Sequence, residues 1–416
     1  MNVDQKIQHR RAIEALRSGV PNRDAVLALG CKQPAIEENF RVQLQAAKDG
    51  ARKEVQSPGL LIVGDFGAGK SHLLEYLQHI AIEQNFVCSK VVISKETPLH
   101  DPVKLYRSAI RAASVPNKRG SALTEIATKL DTGNEAFDYL DKWVHSPESK
   151  LNSRFAATLF LIKSMRRVEE FWDRIISFWS GDPIGAGEIK KYLKACGEKA
   201  TYKIERVNLR DLAIQRFRFA SRLMVAAGYS GWVLLVDEIE LIGRYSPLQR
   251  AKSYAELARW IGKLPDQQFP GLTCVFAIMS NFESQVIEEK NDIEVVPRKL
   301  IDRGLEELAK QAEYGMRIIQ KEKIRLKPLD KDAIHQTRDK VRSIHAEAYS
   351  WQPPSLRNEI SLGSSVMRQH VKSWINEWDL KRLYPDYIPI TETTEIKIGY
   401  DEDADLEKAT EEDSGD

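Results

Sequence analysis

The sequence predicts an α/β protein in which a parallel sheet is flanked by helices, with a helical insertion and a helical C-terminal lid domain. Three observations lead to this fold class. An apolar run ends in a glycine-rich loop that opens a helix, strand and helix patterns then alternate, and a second apolar run ends in two adjacent carboxylates. Alternating strands and helices are typical of a parallel sheet that is covered by helices on both faces.

The glycine-rich loop follows apolar residues 60–63 and has the P-loop (Walker A) pattern G-x-x-x-x-G-K-S. It reads Gly64, Asp65, Phe66, Gly67, Ala68, Gly69, Lys70 and Ser71, followed by His72 in an amphipathic helix. Glycines let the backbone N–H groups surround a phosphate, and the positive helix end favours the same anion. The lysine reaches the β- and γ-phosphates, and the serine hydroxyl completes the oxygen shell of Mg²⁺. We therefore predict that residues 64–72 bind a nucleoside triphosphate with Mg²⁺. The alternative is a strand-to-helix turn that binds nothing.

Composition bounds the class of protein. The chain has 416 residues, of which 42% are hydrophobic and 29% are charged, as expected of one large or a few ordinary soluble domains. No apolar run approaches the ~20 residues of a membrane span, and the polar N-terminus is unlike a secretory signal. The four cysteines are scattered and lack C-x-x-C spacing. We predict reduced thiols, a cytoplasmic location and no membrane partner.

Breaks in the strand and helix rhythm suggest a division of the chain. The predicted parts are an N-terminal helical segment (1–56), a first part of the ATPase core (57–119), a helical insertion (120–215), a second part of the core (216–325), a helical lid domain (326–390) and an acidic disordered tail (391–416). The insertion has aromatic residues at helical spacing with basic residues between them. Aromatics in such a pattern usually form a core, and the alternative is a lobe that binds nucleic acid or a partner.

The second apolar run, residues 232–236, ends in Asp237 and Glu238. A fully apolar run is typical of a strand buried on both faces, and its carboxyl end lies at the edge where a P-loop enzyme holds Mg²⁺ and the attacking water. We expect Asp237 to hold the metal through its water shell and Glu238 to polarise the water. A glutamate directly after the metal aspartate favours hydrolysis over transfer to a small acceptor.

A further apolar run, residues 272–279, ends in Ser280 and Asn281. The Asn281 side chain could contact the γ-phosphate or orient the water, although Ser-Asn after a strand is also ordinary turn chemistry. Arg298 and Arg303 follow in a basic, helix-prone segment. Arginines at such a position can supply charge to the nucleotide of a neighbouring subunit, and we favour Arg303 for this role.

Charge is divided unequally along the chain. Residues 401–416 contain nine acidic residues and one lysine, a balance of −8, so the whole-chain charge of +2 leaves +10 on residues 1–400. An acidic segment with few apolar residues is expected to be disordered. The basic remainder suggests an anionic partner, with DNA as a candidate in addition to the nucleotide.

The order of these motifs resembles that of AAA+ ATPases, in particular the origin-recognition-like branch. More narrowly, three segments resemble the ATP-binding proteins of bacterial BREX phage-defence systems, the BrxD-like group. They read HRRAIEALRSGVPNRDAV near the start, VVISKETPLHDPVKLYRSAIRAA after the P-loop and SSVMRQHVKSWINEWDL near the end. The resemblance spans about residues 7 to 385.

This resemblance implies a cytoplasmic ATPase that acts with other defence-system proteins on DNA. It implies ATP sites between subunits of a homo-oligomer, where Arg303 would act in trans. It also implies that the stretch from Gly19 to Arg23, including Val20, borders the adenine, and that Arg368 is a second nucleotide-sensing arginine. We accordingly predict an ATPase that works as a conformational or assembly switch. The alternatives are a nucleotide-regulated scaffold, a loader ATPase of the replication or transposition type, and, less favoured, a P-loop kinase.

Overall fold

A single mixed sheet forms the centre of the protein. The structure, a computed structural model, describes residues 3–19, 22–116, 121–164, 169–198, 202–264, 266–356, 367–386 and 399–406. The strands are β1 (Leu60–Gly64), β2 (Val87–Val92), β3 (Ala113–Ser114), β4 (Trp232–Asp237), β5 (Leu272–Met279) and β6 (Lys323–Arg325). Their order is β3-β2-β4-β5-β1-β6. All neighbouring pairs are parallel, except that the short β3 runs antiparallel to β2.

Helices surround this sheet on both faces. They are α1 (Val3–Ser18), α2 (Arg23–Leu29), α3 (Pro34–Lys53), α4 (Lys70–Glu83), α5 (Pro102–Arg111), α6 (Ala122–Lys129), α7 (Glu135–His145), α8 (Ser153–Ser164), α9 (Glu169–Ser180), α10 (Ala186–Ala195), α11 (Leu209–Ala226), α12 (Pro247–Trp260), α13 (Asp292–Ile301), α14 (Glu306–Lys321), α15 (Lys331–Tyr349) and α16 (Met367–Leu383). The predicted α/β fold is confirmed at this level. Within the described ranges, no helix is both long and apolar enough to cross a bilayer.

The strand order brings the loop after β1 and the ends of β4 and β5 to one edge. Every residue of β4 and β5 is buried, which explains their uninterrupted apolar runs. Gly64 pairs with Met279, and Val92 pairs with Asp237, so these strand ends are level. The chain leaves β1 toward β2 and leaves β5 toward β6, in opposite directions along the sheet. Ligands of such sheets bind outside the carboxyl ends at this kind of switch point.

The two faces of the sheet have different cores. On one face, α3 and α4 pack through residues such as Phe40, Leu73 and Leu77. On the other, α5 and α11–α14 pack together with the helices of the predicted insertion. Aromatic residues of the insertion, including Phe155 and Trp179, are buried in this same core. The division at 120 and 215 stays a prediction, and α11 runs across the second of these positions.

A third core joins helices from the two ends of the described chain. Ile13 and Leu16 of α1 and Leu29 of α2 pack with Val341 of α15 and with apolar residues of α16, which include Trp374 and Trp378. The N-terminal helices thus pack with the helices predicted to form the lid, whereas α3 packs on the sheet.

The predicted disordered tail differs from the structure over residues 399–406. Tyr400 is only 7% exposed, and Leu406 packs against the main core. Glu402 and Asp403 form ion pairs with Arg250 and Arg244. Acidic composition predicted disorder, but these two carboxylates meet basic partners on the core and the tyrosine supplies apolar area. Residues 391–398 and 407–416 of the predicted tail lie outside the described residues.

Candidate functional site

The glycine-rich loop connects β1 to the N-terminus of α4. Gly67 and Gly69 have φ angles of +74° and +97°, a backbone region in which other residues are strained. Gly69 is the N-cap of α4 and makes no side-chain capping bond, and the helix begins at Lys70. The free N–H groups of this first turn, together with the helix dipole, create a site for an anion.

The Lys70 ammonium lies inside this loop, where it is 8% exposed. Its Nζ donates to the carbonyl oxygens of Gly64 at 3.0 Å and Asp65 at 3.2 Å. The thioether sulfur of Met279, the last residue of β5, is 3.0 Å away. Lys70 therefore lies between the P-loop and the end of the neighbouring strand.

Two of the predicted acids lie at the end of β4 with different exposure. Asp237 is 3% exposed, whereas Glu238 is exposed. Glu238 has a left-handed backbone with φ +59°, and its N–H donates to Asp237 Oδ1 at 3.0 Å. This conformation ends the strand and begins the 3₁₀ segment Ile239–Arg244. Asp237 is thus held in the interior, while Glu238 faces solvent.

A third acid, Glu240, belongs to the same cluster and was missed by sequence reasoning. Its side chain is 5% exposed, and among the described residues its Oε2 has no hydrogen-bond partner. Burial raises the pKa of Glu240 to about 7, the positive charge of Lys70 opposes this rise, and the negative charges of Glu238 and Asp237 add to it. These four groups therefore lie within one electrostatic neighbourhood.

The polar residues after β5 contact the P-loop and the C-terminal segment. The Ser280 hydroxyl donates to the Asp65 carboxylate. Asn281 Nδ2 donates to Gln285 Oε1 at 2.7 Å, and Asn281 Oδ1 accepts a bond from the Tyr400 hydroxyl at 3.1 Å. Asn281 therefore lies at the predicted edge, and Tyr400 is a contact that the sequence did not indicate.

A cavity lies beside the loop, between α1, α2, α4 and α16. The His72 Nε2 lies 2.9 Å from the Gly30 carbonyl oxygen, and burial lowers the pKa of His72, so the neutral ring donates this bond. The cavity lining is largely apolar. It includes Ala15, Leu16, Gly19, Leu29, Gly30, Cys31, Lys32, Gln33, Gly67, Ala68, Gly69, Ser71, His72, Leu73, Leu326, Leu329, Thr337, Met367, Arg368 and Val371.

The predicted lid arginine lies close to the loop. The Arg368 guanidinium carbon is 5.3 Å from the centre of the Phe66 ring, a cation–π contact. Arg368 also approaches Gly19, where an added Cβ would be 3.2 Å from its Cδ. Val20, predicted to border the base, lies outside the described residues. Arg368 and Gly19 are thus brought to the P-loop by α16 and α1.

Arg303 is the predicted residue that stands apart from this group. It is exposed in the turn after α13, as is Arg298 near the end of that helix. Neither arginine belongs to the cavity lining of the described chain. A role for Arg303 at the nucleotide of its own subunit finds no support in this placement, and a role in trans stays a prediction.

The oxygen donors at the edge fit Mg²⁺ by their chemistry. The described part of the chain has no cluster of three His, Cys, Asp or Glu side chains arranged to enclose a metal. Magnesium in phosphate sites is held mainly by phosphates, waters and one or two protein oxygens. The Ser71 hydroxyl and the Asp237 carboxylate would supply such oxygens, and Glu240 Oε2 is a further buried acceptor without a partner.

A parallel sheet whose first strand runs into a glycine-rich loop and helix, with carboxylates on a neighbouring strand, is compatible with the class of P-loop NTPases. The chain belongs to the family of BREX system ATP-binding proteins BrxC/D, whose sequence profile matches residues 5–372. The predicted resemblance to this family is confirmed. No curated protein and no solved structure matches the chain.

Proposed function

We propose that the protein binds and hydrolyses ATP and uses the reaction as a conformational or assembly switch in BREX phage defence. One observation carries this proposal. Lys70, Asp237, Glu238 and Asn281 lie at one edge of the sheet, and residues of the P-loop between Gly67 and Ser71 line a cavity. Family membership supports ATP as the nucleotide.

The cavity supports binding of the base and ribose. Its apolar walls from α1, α2 and α16 suit a flat heteroaromatic ring, and Arg368 near Phe66 supplies a positive charge toward the phosphates. The paired bonds between Gln33 and Lys327, at 2.8 and 3.0 Å, fix the loop after α2 to the chain after β6. Because this part of the cavity wall is already held in place, less conformational entropy is lost when a nucleotide binds.

The chemical roles follow from the positions of the side chains. Lys70 would exchange its carbonyl partners for the β- and γ-phosphates, and Ser71 and Asp237 would hold Mg²⁺, which neutralises phosphate charge. Glu238, exposed at the strand end, would accept a proton from the attacking water as general base. Asn281 would orient that water or contact the γ-phosphate.

The scaffold and the kinase differ from the proposed function in the turnover they predict, whereas a third alternative, the loader ATPase, does not. A nucleotide-regulated scaffold would bind ATP at the same loop and release no phosphate. A kinase would transfer the phosphate to an acceptor molecule. The glutamate Glu238 directly after Asp237 argues against this, because it favours hydrolysis over transfer. A loader ATPase of the replication or transposition type would hydrolyse ATP in the same way and differ only in its partners.

The proposed partners are other defence-system proteins, DNA and further copies of this chain, in the cytoplasm. The +10 charge of residues 1–400 supports DNA. Contact with a second copy is supported by the exposed side chains around the turn after α13, which are Ile301, Arg303 and Leu305. Arginine and large apolar side chains are enriched in protein interfaces.

Two variants separate nucleotide binding from hydrolysis. Lys70→Ala removes the ammonium aimed at the phosphates, so ATP affinity should fall at least about tenfold, or ~1.4 kcal/mol. Glu238→Gln keeps the shape of the side chain and removes the base, so ATP should remain bound while phosphate release falls roughly 10²-fold. Calorimetric titration and a phosphate-release assay measure the two effects. Glu313→Gln, an exposed change on α14, is the matched control.

The outcomes distinguish the candidate functions. Unchanged ATP affinity in Lys70→Ala would contradict binding at this loop. Binding without phosphate release in the wild-type protein, with or without DNA, would favour the scaffold. Equal turnover in Glu238→Gln and wild type would remove the general-base role from Glu238.

A further inference from the structure

We propose that Tyr400 is a positioning residue for ATP hydrolysis, because its hydroxyl holds the Asn281 amide in one orientation at the end of β5. The C-terminal segment 399–406 is then part of the site rather than an appendage. This inference rests on the function proposed above and assigns one of its supporting groups.

The hydrogen bonds of Asn281 carry the argument. Tyr400 donates to Oδ1 at 3.1 Å, and Nδ2 donates to Gln285 Oε1 at 2.7 Å. An amide that is held at its oxygen and at one nitrogen proton cannot flip without breaking both bonds. The second Nδ2 proton remains available as a donor. Tyr400 therefore determines which end of Asn281 can serve a phosphate or a water.

The Tyr400 ring packs against residues of the segments that follow β4 and β5. The ring packs edge-to-face on Phe282, with centroids 6.0 Å apart and planes at 89°. Gly243 lies against both rings, since an added Cβ would be 2.7 Å from Tyr400 Cδ1 and 3.3 Å from Phe282 Cε2. Phe282 follows Asn281, and Gly243 belongs to the 3₁₀ segment after Glu238. The ring thus fills the space between the ends of β4 and β5.

Hydrogen bonds and an ion pair hold the segment 399–406 in this position. The Lys290 ammonium donates to the Tyr400 carbonyl oxygen at 2.5 Å. The N–H of Asp403 donates to the Arg244 carbonyl oxygen at 2.9 Å, and the two side chains form an ion pair at 2.7 Å. Arg244 ends the 3₁₀ segment that follows β4, and Lys290 follows the helical segment Glu283–Glu288 that comes after β5. The segment is therefore fastened to the elements that carry Glu238 and Asn281.

The buried Arg250 also binds the segment 399–406. Arg250 of α12 is buried and bonds to both carboxylate oxygens of Asp292 at the start of α13. Its remaining Nη1 reaches Glu402 at 3.0 Å. Because Arg250 is already fixed by Asp292, the bond to Glu402 requires little further ordering of the arginine.

The charges near Tyr400 keep its hydroxyl a donor. Burial raises the pKa of Tyr400, and the carboxylates of Glu240 and Glu238 raise it further. The phenol therefore stays protonated at neutral pH. The same influence shows that the hydroxyl lies near the acids of β4 as well as near Asn281.

A Tyr400→Phe variant tests the inference, because it keeps the ring in its position and removes the hydroxyl. We expect kcat to fall about tenfold through misorientation of Asn281, with ATP affinity and KM within about twofold of wild type. In an Asn281→Ala background, Tyr400→Phe should have no further effect on kcat. Tyr384→Phe, an exposed change just after α16, is the matched control.

A second variant tests the same inference in case Tyr400→Phe does not fold. Glu402→Gln combined with Asp403→Asn removes both ion pairs without altering the tyrosine, and it should lower kcat with little change in KM. Wild-type kcat in Tyr400→Phe, or the same fractional loss in the Asn281→Ala background, would overturn the role of Tyr400 while ATP hydrolysis stands. A wild-type protein without Lys70-dependent turnover would instead overturn the proposed function and this inference together.

Discussion

Glu240 is a single buried carboxyl group whose protonation is expected to change the stability of the protein with pH. It lies near Lys70, Asp237, Glu238 and Tyr400, and Lys70 is the positive member of this group. Burial raises the pKa of Glu240 to about 7, above the ~4.3 of an unfolded glutamate. The folded protein therefore binds the additional proton, and the free energy of unfolding falls as pH rises from about 4.3 to about 7.

Replacing Glu240 by Gln should remove this pH dependence. We expect Glu240→Gln to be more stable than wild type at pH 8.5, by roughly 1–3 kcal/mol, because the amide has no charge to bury. At pH 5 the two proteins should differ little. Thermal unfolding without nucleotide and magnesium, with Glu313→Gln as control, measures this. A destabilised variant at pH 8.5 would show that Glu240 is ionised and supported by Lys70.

At the scale of elements, the contact between α12 and α14 connects the acidic edge to the Arg303 turn. α12 follows the 3₁₀ segment after Glu238, and α14 follows Arg303. Gly315 of α14 packs so closely that an added Cβ would collide with the Tyr254 carbonyl oxygen of α12. The Tyr254 hydroxyl in turn donates to Asp292 of α13 at 2.7 Å. Three helices are thereby held in one arrangement.

Gly315→Ala should destabilise the protein by roughly 1–3 kcal/mol, because one methyl group forces the two helices apart. Gly187→Ala in α10 is the matched control, since its added methyl group meets no atom within 4 Å. That change should be neutral or stabilising by roughly 0.5–1 kcal/mol, through helix propensity. Denaturant unfolding compares both. Equal stability of the two variants would contradict the close approach of α12 and α14.

The elements that could be predicted from sequence are those whose signal is local. β5 has the predicted bounds, and β4 covers the predicted apolar run 232–236 together with Asp237, because a strand buried on both faces needs an unbroken apolar run. The seven-residue α2 lies within the predicted helical segment 1–56, but so short a helix has too little periodicity for its bounds to be predicted. Tyr400 was assigned to a disordered tail because its neighbours are acidic, although EIKIGY before them has alternating apolar residues. Its partners come from elements more than one hundred residues away.

At the level of the whole molecule, the role proposed for Arg303 would require a second subunit. It is exposed together with Ile301 and Leu305 in the turn between α13 and α14. Sequence reasoning could propose an arginine that acts in trans, but a single chain has no neighbouring nucleotide with which to test it. A mixture of two defective proteins can supply that neighbour.

Arg303→Ala should lower turnover at least about tenfold while leaving ATP affinity nearly unchanged, because only the transition-state charge loses a partner. Mixed with Lys70→Ala, it should recover phosphate release above the sum of the separate proteins. Each Lys70→Ala subunit would lend its intact arginine to an Arg303→Ala site. Arg298→Ala is the comparison variant and should retain turnover. Mixtures without recovery, from protein that stays monomeric with ATP, would contradict the proposed interface.

The shared core of α1, α2, α15 and α16 has a consequence for biosynthesis. The apolar face of α1 is covered by α15 and α16, and Arg17 pairs with Asp379 at 3.4 Å. At roughly 5–20 residues per second, the ribosome needs roughly 20–70 s to proceed from α1 to the end of α16. Until then Ala15 and Leu16 of the cavity wall lack the partners that α15 and α16 supply. The apolar face of α1 is therefore uncovered until α15 and α16 are made, and the cavity, which residues of α16 line, can form only after that point.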